Sequence, residues 1–162
     1  MPQKSKDAIK PNAANELLFT RTYDAPRALV FAAWTDPAHI GKWWGPEGFT
    51  TTTLAMEVEV GGVWDYIMHG PDGTDYPGRG VFTEIVKPER LAFSHVGGKA
   101  DDPHLTCEFC VIFEEVDGQT SLTLRMIFPS AQAAEHAKEL GADSGGTESL
   151  ERLAQALKTA AA

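Results

Sequence analysis

From Thr51 to Val60 the chain alternates, setting Leu54, Met56, Val58 and Val60 against Thr53, Ala55, Glu57 and Glu59. A period of two predicts a strand with one face buried. The pattern recurs downstream. Trp64, Tyr66 and Met68 oppose Asp65, Ile67 and His69, and Leu91, Phe93 and His95 alternate with Ala92 and Ser94. Residues 78–86, 105–115 and 120–128 read as further strands, the last with Leu122, Leu124 and Met126 on one face and Arg125 on the other. Turn chemistry separates them: Gly61-Gly62, Pro71-Asp72-Gly73, Lys87-Pro88-Glu89, and the Asp117-Gly118 pair that favours a tight hairpin. Glu16–Tyr23 predicts one more strand near the start.

Helical spacing is confined to two regions. Asp24-Ala25-Pro26-Arg27 reads as an N-cap with proline close to the first helical position, followed by Leu29, Val30, Ala33 and Trp34 at helical intervals. Thr35-Asp36-Pro37 starts a second short helix that ends near Gly41. Residues 130–140 are helical in composition, and Gly141–Gly146 break that run. From Thr147, a plausible cap, to Ala160 a long helix carries Leu150, Leu153, Ala154 and Leu157 on one face. The sum is an α+β domain: a curved antiparallel sheet of about seven strands around a long C-terminal helix, with two short helices after the first strand. The predicted boundaries are a flexible tail over 1–14 and a single domain over 15–162. The last helix is expected to lie on the face holding Trp64, Tyr66 and Met68, and to act as the lid of a cavity there.

Running from the end of the first helix through the second and beyond it is W-T-D-P-A-H-I-G-K-W-W-G-P-E-G-F, Trp34 to Phe49, with three of the chain's four tryptophans. Two readings compete: a plug for the core, or an aromatic rim over a cavity. Trp34, Trp43, Trp44, Met56, Trp64, Tyr66, Met68, Phe93, Phe109 and Met126 are the candidate ligand contacts as a set. Aromatic and methionine side chains suit an adaptable apolar site, although each alone reads as ordinary core. His95 joins them because it continues the Leu91–Phe93 face, and Leu150 and Leu153 join from the helix.

Fourteen Lys and Arg against 23 Asp and Glu give a net charge of −9. That argues against nucleic acid and against an anionic membrane surface. Cys107 and Cys110 form a lone C-x-x-C within a predicted strand, where residues three apart face opposite ways. Met1–Asn15 has no apolar signal-peptide core, and no run approaches the roughly 20 apolar residues of a membrane span, so a cytoplasmic protein is expected. His39, His69, His95, His104 and His136 show no metal-ligand spacing, and no nucleophile motif or phosphate loop occurs. The sequence therefore nominates no catalytic residue, metal or cofactor. Arg125 is expected outside the cavity and His69 in solvent.

Extended motifs carry a resemblance. They are E-L-L-F-T-R-T-Y-D-A-P, then W-T-D-P-A-H-I-G-K-W-W-G-P-E-G-F, G-G-V-W-D-Y-I-M-H-G-P-D-G-T-D-Y-P, G-V-F-T-E-I-V-K-P-E-R-L-A-F-S-H, F-E-E-V-D-G-Q-T-S-L-T-L and G-G-T-E-S-L-E-R-L. Together they resemble the SRPBCC (START-like) superfamily, in the branch named after the activator of the heat-shock-protein-90 ATPase. The resemblance spans about Glu16 to Leu157. It implies the helix-grip fold and a deep, mostly apolar cavity between sheet and C-terminal helix. Many members carry an aromatic at the start of the last helix, where this chain has Gly146-Thr147. The family supplies no universal catalytic residue. The leading expectation is binding of a small hydrophobic or aromatic molecule. The alternatives are a cyclase, hydrolase or dehydratase using His95 and Tyr66, and an interaction protein stimulating a chaperone ATPase. Edge strands of such a sheet also allow a homodimer.

Overall fold

A computed structural model describes residues 14–99 and 101–161. Apart from Ala14, the tail expected over 1–14 lies outside the described residues. The elements in order are β1 (Glu16–Tyr23), α1 (Arg27–Thr35), α2 (Pro37–Ile40), β2 (Thr50–Met56), β3 (Val63–His69), β4 (Asp75–Val86), β5 (Arg90–Val96), β6 (Cys107–Val116), β7 (Gln119–Ile127), α3 (Ala131–Glu139) and α4 (Ala142–Ala161). The seven strands form one curved, open antiparallel sheet in the order β1-β7-β6-β5-β4-β3-β2. Every neighbour is a sequential hairpin except β1, which returns to pair with β7. The β6–β7 turn has Asp117 at φ 51° and Gly118 at φ 79°, the double positive that a tight two-residue hairpin requires.

The inner face follows the alternation of β3, β5, β6 and β7. Trp64, Tyr66, Leu91, Phe93, Phe109, Val111, Leu122 and Leu124 are all buried there. The other face is polar, with ion pairs between Arg125 and Glu16 at 2.8 Å and between Arg90 and Glu84 at 3.2 Å. Arg125 thus sits outside, as expected. His69, expected in solvent, donates from Nδ1 to Asp75 Oδ1 at 2.8 Å and bonds Thr52 Oγ1 through Nε2 at 2.9 Å, bridging three strands.

Four expectations are corrected. β2 stops at Met56, and Leu54, Val58 and Val60 are exposed rather than buried. It is an edge strand, and its register slips between Thr53 and Ala55, so a bulge at Leu54 breaks the period that the sequence suggested. β4 begins at Asp75, not Gly78, because Tyr76 and Pro77 already pair with β3. The cap of α1 is Pro26, with no side-chain hydrogen bond, rather than Asp24. The fourth concerns the last helix. α4 starts at Ala142 and runs straight through Gly145 and Gly146, and Thr147 donates its hydroxyl back to Asp143 O instead of capping. A Cβ on Gly146 would lie 2.6 Å from the Phe19 ring of β1, so the glycine lets the helix close on the sheet. Tertiary contact overrides helix propensity here.

α4 packs on β1, α1 and α3, and across a cavity it faces Tyr66 and Met68 of β3. The Tyr23 hydroxyl on β1 donates to Leu150 O at 2.8 Å and fixes that contact. What covers β3 is the tryptophan loop that follows α2.

Candidate functional site

Asp36 caps α2, accepting from Ala38 N at 2.9 Å, with Pro37 opening the helix. This short turn throws Trp43 and Trp44 back over the sheet. Trp43 donates its indole N–H to Ala33 O at 3.0 Å and lies edge-on to Trp34, 4.8 Å between ring centres. Trp44 is the hub: its ring centre lies 4.9 Å from Trp64, 5.8 Å from Tyr66 and 5.7 Å from Phe109. Such tilted and edge-on contacts add to the burial each indole brings. The three indoles are therefore both core and rim, and the two readings of the sequence merge.

The loop is held down from α4. Arg152 donates to Gly45 O at 2.9 Å and Pro46 O at 3.1 Å, Ser149 Oγ accepts from Gly45 N at 3.2 Å, and Glu148 accepts from Glu47 N at 3.0 Å. Arg152→Ala removes charge-assisted bonds of a type worth about 1.5–3 kcal/mol. It is expected to raise amide hydrogen exchange at 43–49 well above that of β5 and β6. Uniform exchange across the domain would show that the loop needs no such clamp.

Between loop, sheet and α4 lies a cavity of about 250 Å³. Its aromatic wall is Trp34, Trp43, Trp44, Phe49, Tyr66, Tyr76 and Phe109, and its flexible aliphatic wall is Met68, Leu124, Met126 and Leu150. Gly98, Lys99, His104 and Leu105 approach from the β5–β6 loop, and Gly141, Ala142, Gly145, Gly146 and Ser149 from the start of α4. The glycines of α4 contribute space because they contribute no side chain.

Of the residues nominated from sequence, Trp34, Trp43, Trp44, Tyr66, Met68, Phe109, Met126 and Leu150 line this cavity, whereas Met56, Trp64, Phe93, His95 and Leu153 do not. Trp64 lies behind Tyr66, its ring centre 4.4 Å away, and bonds Thr53 Oγ1 at 3.2 Å. Phe93 is stacked behind Phe109 at 4.9 Å, and Met56 sits beyond the β2 bulge. Leu153 is fully buried in the packing of α4. Among the lining residues not nominated, Leu124 was visible in its alternation with Leu122 and Met126, and Phe49 lay inside the tryptophan stretch. Nothing periodic marked Gly98, Leu105 or Ala142.

His95 stands one layer behind the wall. Its Nε2 lies 2.7 Å from the Tyr66 hydroxyl and its Nδ1 2.8 Å from Leu105 O. A carbonyl only accepts, so Nδ1 carries the proton, Nε2 is bare, and Tyr66 donates to it. Burial pushes His95 down to about 4. Burial also raises Tyr66 above the ordinary phenol range, partly opposed by the Trp44 side chain beside its oxygen. His95 is thus neutral when folded and takes up its proton more readily when unfolded. Its contribution to stability is complete above the unfolded value of about 6.5 and is lost as pH falls from there through 4. Going from pH 7.5 to pH 5, urea denaturation is expected to show about 2 kcal/mol more loss for the native chain than for His95→Gln. Parallel pH profiles would contradict a buried neutral histidine.

Two glycines make room for the pair. A Cβ on Gly78 would fall 2.1 Å from Tyr66 Cζ, and one on Gly97 would fall 2.6 Å from His95 Cε1. Among the described residues no group of three His, Cys, Asp or Glu is placed to hold a metal ion, and no helix is long and apolar enough to cross a membrane.

Residues 24–158 match the family described as Activator of Hsp90 ATPase homolog 1-like protein. The chain belongs to that family. It is a branch of the SRPBCC superfamily, as the sequence motifs suggested. A protein from Arthrobacter aurescens, solved by NMR, is 29% identical with a TM-score of 0.86, covering 93% of this chain and 90% of its own. A crystal structure from Mycobacterium smegmatis is 26% identical with a TM-score of 0.81, covering 91% and 93%. A third, from Silicibacter pomeroyi and bearing the family's name, is 24% identical with a TM-score of 0.71, covering 89% and 98%, and shares the fold. A comparison with curated proteins finds no match. In this member of the Activator of Hsp90 ATPase homolog 1-like family, Phe19 of β1 closes on Gly146 and Pro46 of the tryptophan loop on Gly145 at the start of the last helix.

Proposed function

We propose that this protein binds one small hydrophobic or aromatic molecule in the cavity beneath the tryptophan loop. The observation that carries the reading is an interior volume of about 250 Å³ walled by aromatic rings and methionines. An apolar cavity of about 150 Å³ holds benzene, so this one suits a molecule of one or two rings. Met68 and Met126 can adjust to its outline. Packed cores do not leave such a space unless something keeps it open, and here the glycines of α4 and the Arg152 clamp do so.

The Tyr66–His95 pair is the polar pair that a cyclase, hydrolase or dehydratase would need. Its tuning opposes that use. Proton transfer is most efficient when a group titrates near the working pH, and here the two are pushed apart, one upward and one down to about 4. A chaperone-directed role calls for a protein-binding surface and leaves the cavity without a purpose. Cytoplasmic residence belongs to this proposal, and cell fractionation of the tagged chain tests it.

Calorimetric titration with 2-naphthol is expected to show saturation at one site with a negative heat-capacity change. Ala142→Leu, which places a larger side chain at the cavity wall, is expected to weaken binding at least about tenfold, roughly 1.4 kcal/mol. Absence of binding, or binding indifferent to Ala142→Leu, would refute the proposal.

A further inference from the structure

Resting on that reading, we infer that the bound molecule presents a hydroxyl or N–H donor to the Tyr66 oxygen and an acceptor oxygen to the Trp34 indole, with an uncharged apolar body between them. A phenolic hydroxyl in a cavity wall ordinarily serves as donor or acceptor. Tyr66 has lost that choice. Leu105 O fixes the proton of His95 on Nδ1 at 2.8 Å, and the bare Nε2 takes the Tyr66 proton at 2.7 Å. What remains for a ligand is oxygen lone pairs. The phenolic oxygen keeps one acceptor position, for which a ligand donor competes with the Trp44 indole beside it. The commitment is built in, because Gly78 and Gly97 have no Cβ where Tyr66 and His95 lie.

The opposite pole is a donor. Trp34 lines the cavity and is 1% exposed, and its Nε1 is buried with no hydrogen-bond partner among the described residues. Its neighbour Trp43 has the same kind of indole satisfied by Ala33 O. A buried donor left over in this way calls for a partner. Trp34 and Tyr66 both line the cavity, with ring centres 6.0 and 5.8 Å from that of Trp44. The ligand class is therefore a hydroxylated or N–H-bearing aromatic or alicyclic molecule with a carbonyl or ether oxygen at its far end. Molecules with only a carbonyl to offer Tyr66 meet lone pairs and are disfavoured there.

Matched probes test this. 2-Naphthol and 2-fluoronaphthalene are close in size, and a merely apolar cavity prefers the fluorinated one. The native protein is expected to bind 2-naphthol about tenfold more tightly, the usual scale of one hydrogen bond made in a buried site. Tyr66→Phe is expected to abolish or reverse that preference. 6-Acetyl-2-naphthol is expected to bind more tightly than 6-ethyl-2-naphthol, and Trp34→Phe to remove the difference. Nitrogen-15 spectra of the His95 ring provide a reading that needs no variant: a protonated Nδ1 and a bare Nε2 are expected. A protonated Nε2, or a preference for 2-fluoronaphthalene in the native protein, would overturn the assignment at Tyr66. Equal binding of the acetyl and ethyl compounds would overturn it at Trp34. If these probes bind in the cavity without discrimination, this inference fails and the binding reading stands; if none binds, both fail.

Discussion

Leu153→Ala is expected to cost the domain about 2–5 kcal/mol, the full penalty of a close-packed leucine. The sequence alone placed Leu153 against a cavity, which would have made the truncation mild. The structure removes that exemption. Leu153 is 0% exposed and does not line the cavity, and α4 lies on β1 and α1 with Leu150 O held by Tyr23. Leu150, one turn earlier, does line it. Leu150→Ala enlarges a space that already exists and is expected to cost less in a urea melt while changing affinity for 2-naphthol. Leu153→Ala should leave that affinity intact. A Leu153→Ala protein more stable than Leu150→Ala would reverse the assignment of the two faces.

Gly78→Ala is expected to disable the site. The backbone there is not in the left-handed region that favours glycine, so the penalty comes from contact alone. The new methyl would stand 2.1 Å from Tyr66 Cζ and 2.3 Å from its hydroxyl oxygen. No ring tolerates that separation, and Tyr66 must swing away from His95 and from its stack with Trp64. Overpacking of this kind costs about 1–3 kcal/mol, and His95 Nε2 is left buried without its donor. Binding of 2-naphthol should fall at least about tenfold, roughly 1.4 kcal/mol. Near-native affinity with a small stability change would mean that the ring does not occupy the position that defines the site.

How much of this the sequence disclosed depended on whether a residue's position follows from local period. β3 and β5 are buried on one face along their whole length, so Trp64, Tyr66, Phe93 and His95 were legible as inner residues. β2 is an edge strand with a bulge, and there the same alternation misled. Gly145 and Gly146 looked like a break because propensity says so; only the nearness of Phe19 and Pro46 explains a helix through them. The tryptophan stretch pointed to the cavity without revealing which element it would cover. That Tyr66 and His95 form a pair was not written in either strand. It follows from the registers of β3, β4 and β5, which bring residues 29 apart in sequence to 2.7 Å across two glycines.

The central claim is a ligand cavity beneath the tryptophan loop, and the four indole N–H signals of the protein report on it directly. Trp34, Trp43 and Trp44 line the cavity, and Trp64 stands behind it, bonded to Thr53. In a proton–nitrogen correlation spectrum titrated with 2-naphthol, the Trp34 and Trp44 indole signals are expected to move most and to saturate together. Trp64 should move less. Saturating 2-naphthol that leaves the Trp34 and Trp44 signals in place, or moves only residues of the outer sheet face, would contradict the account.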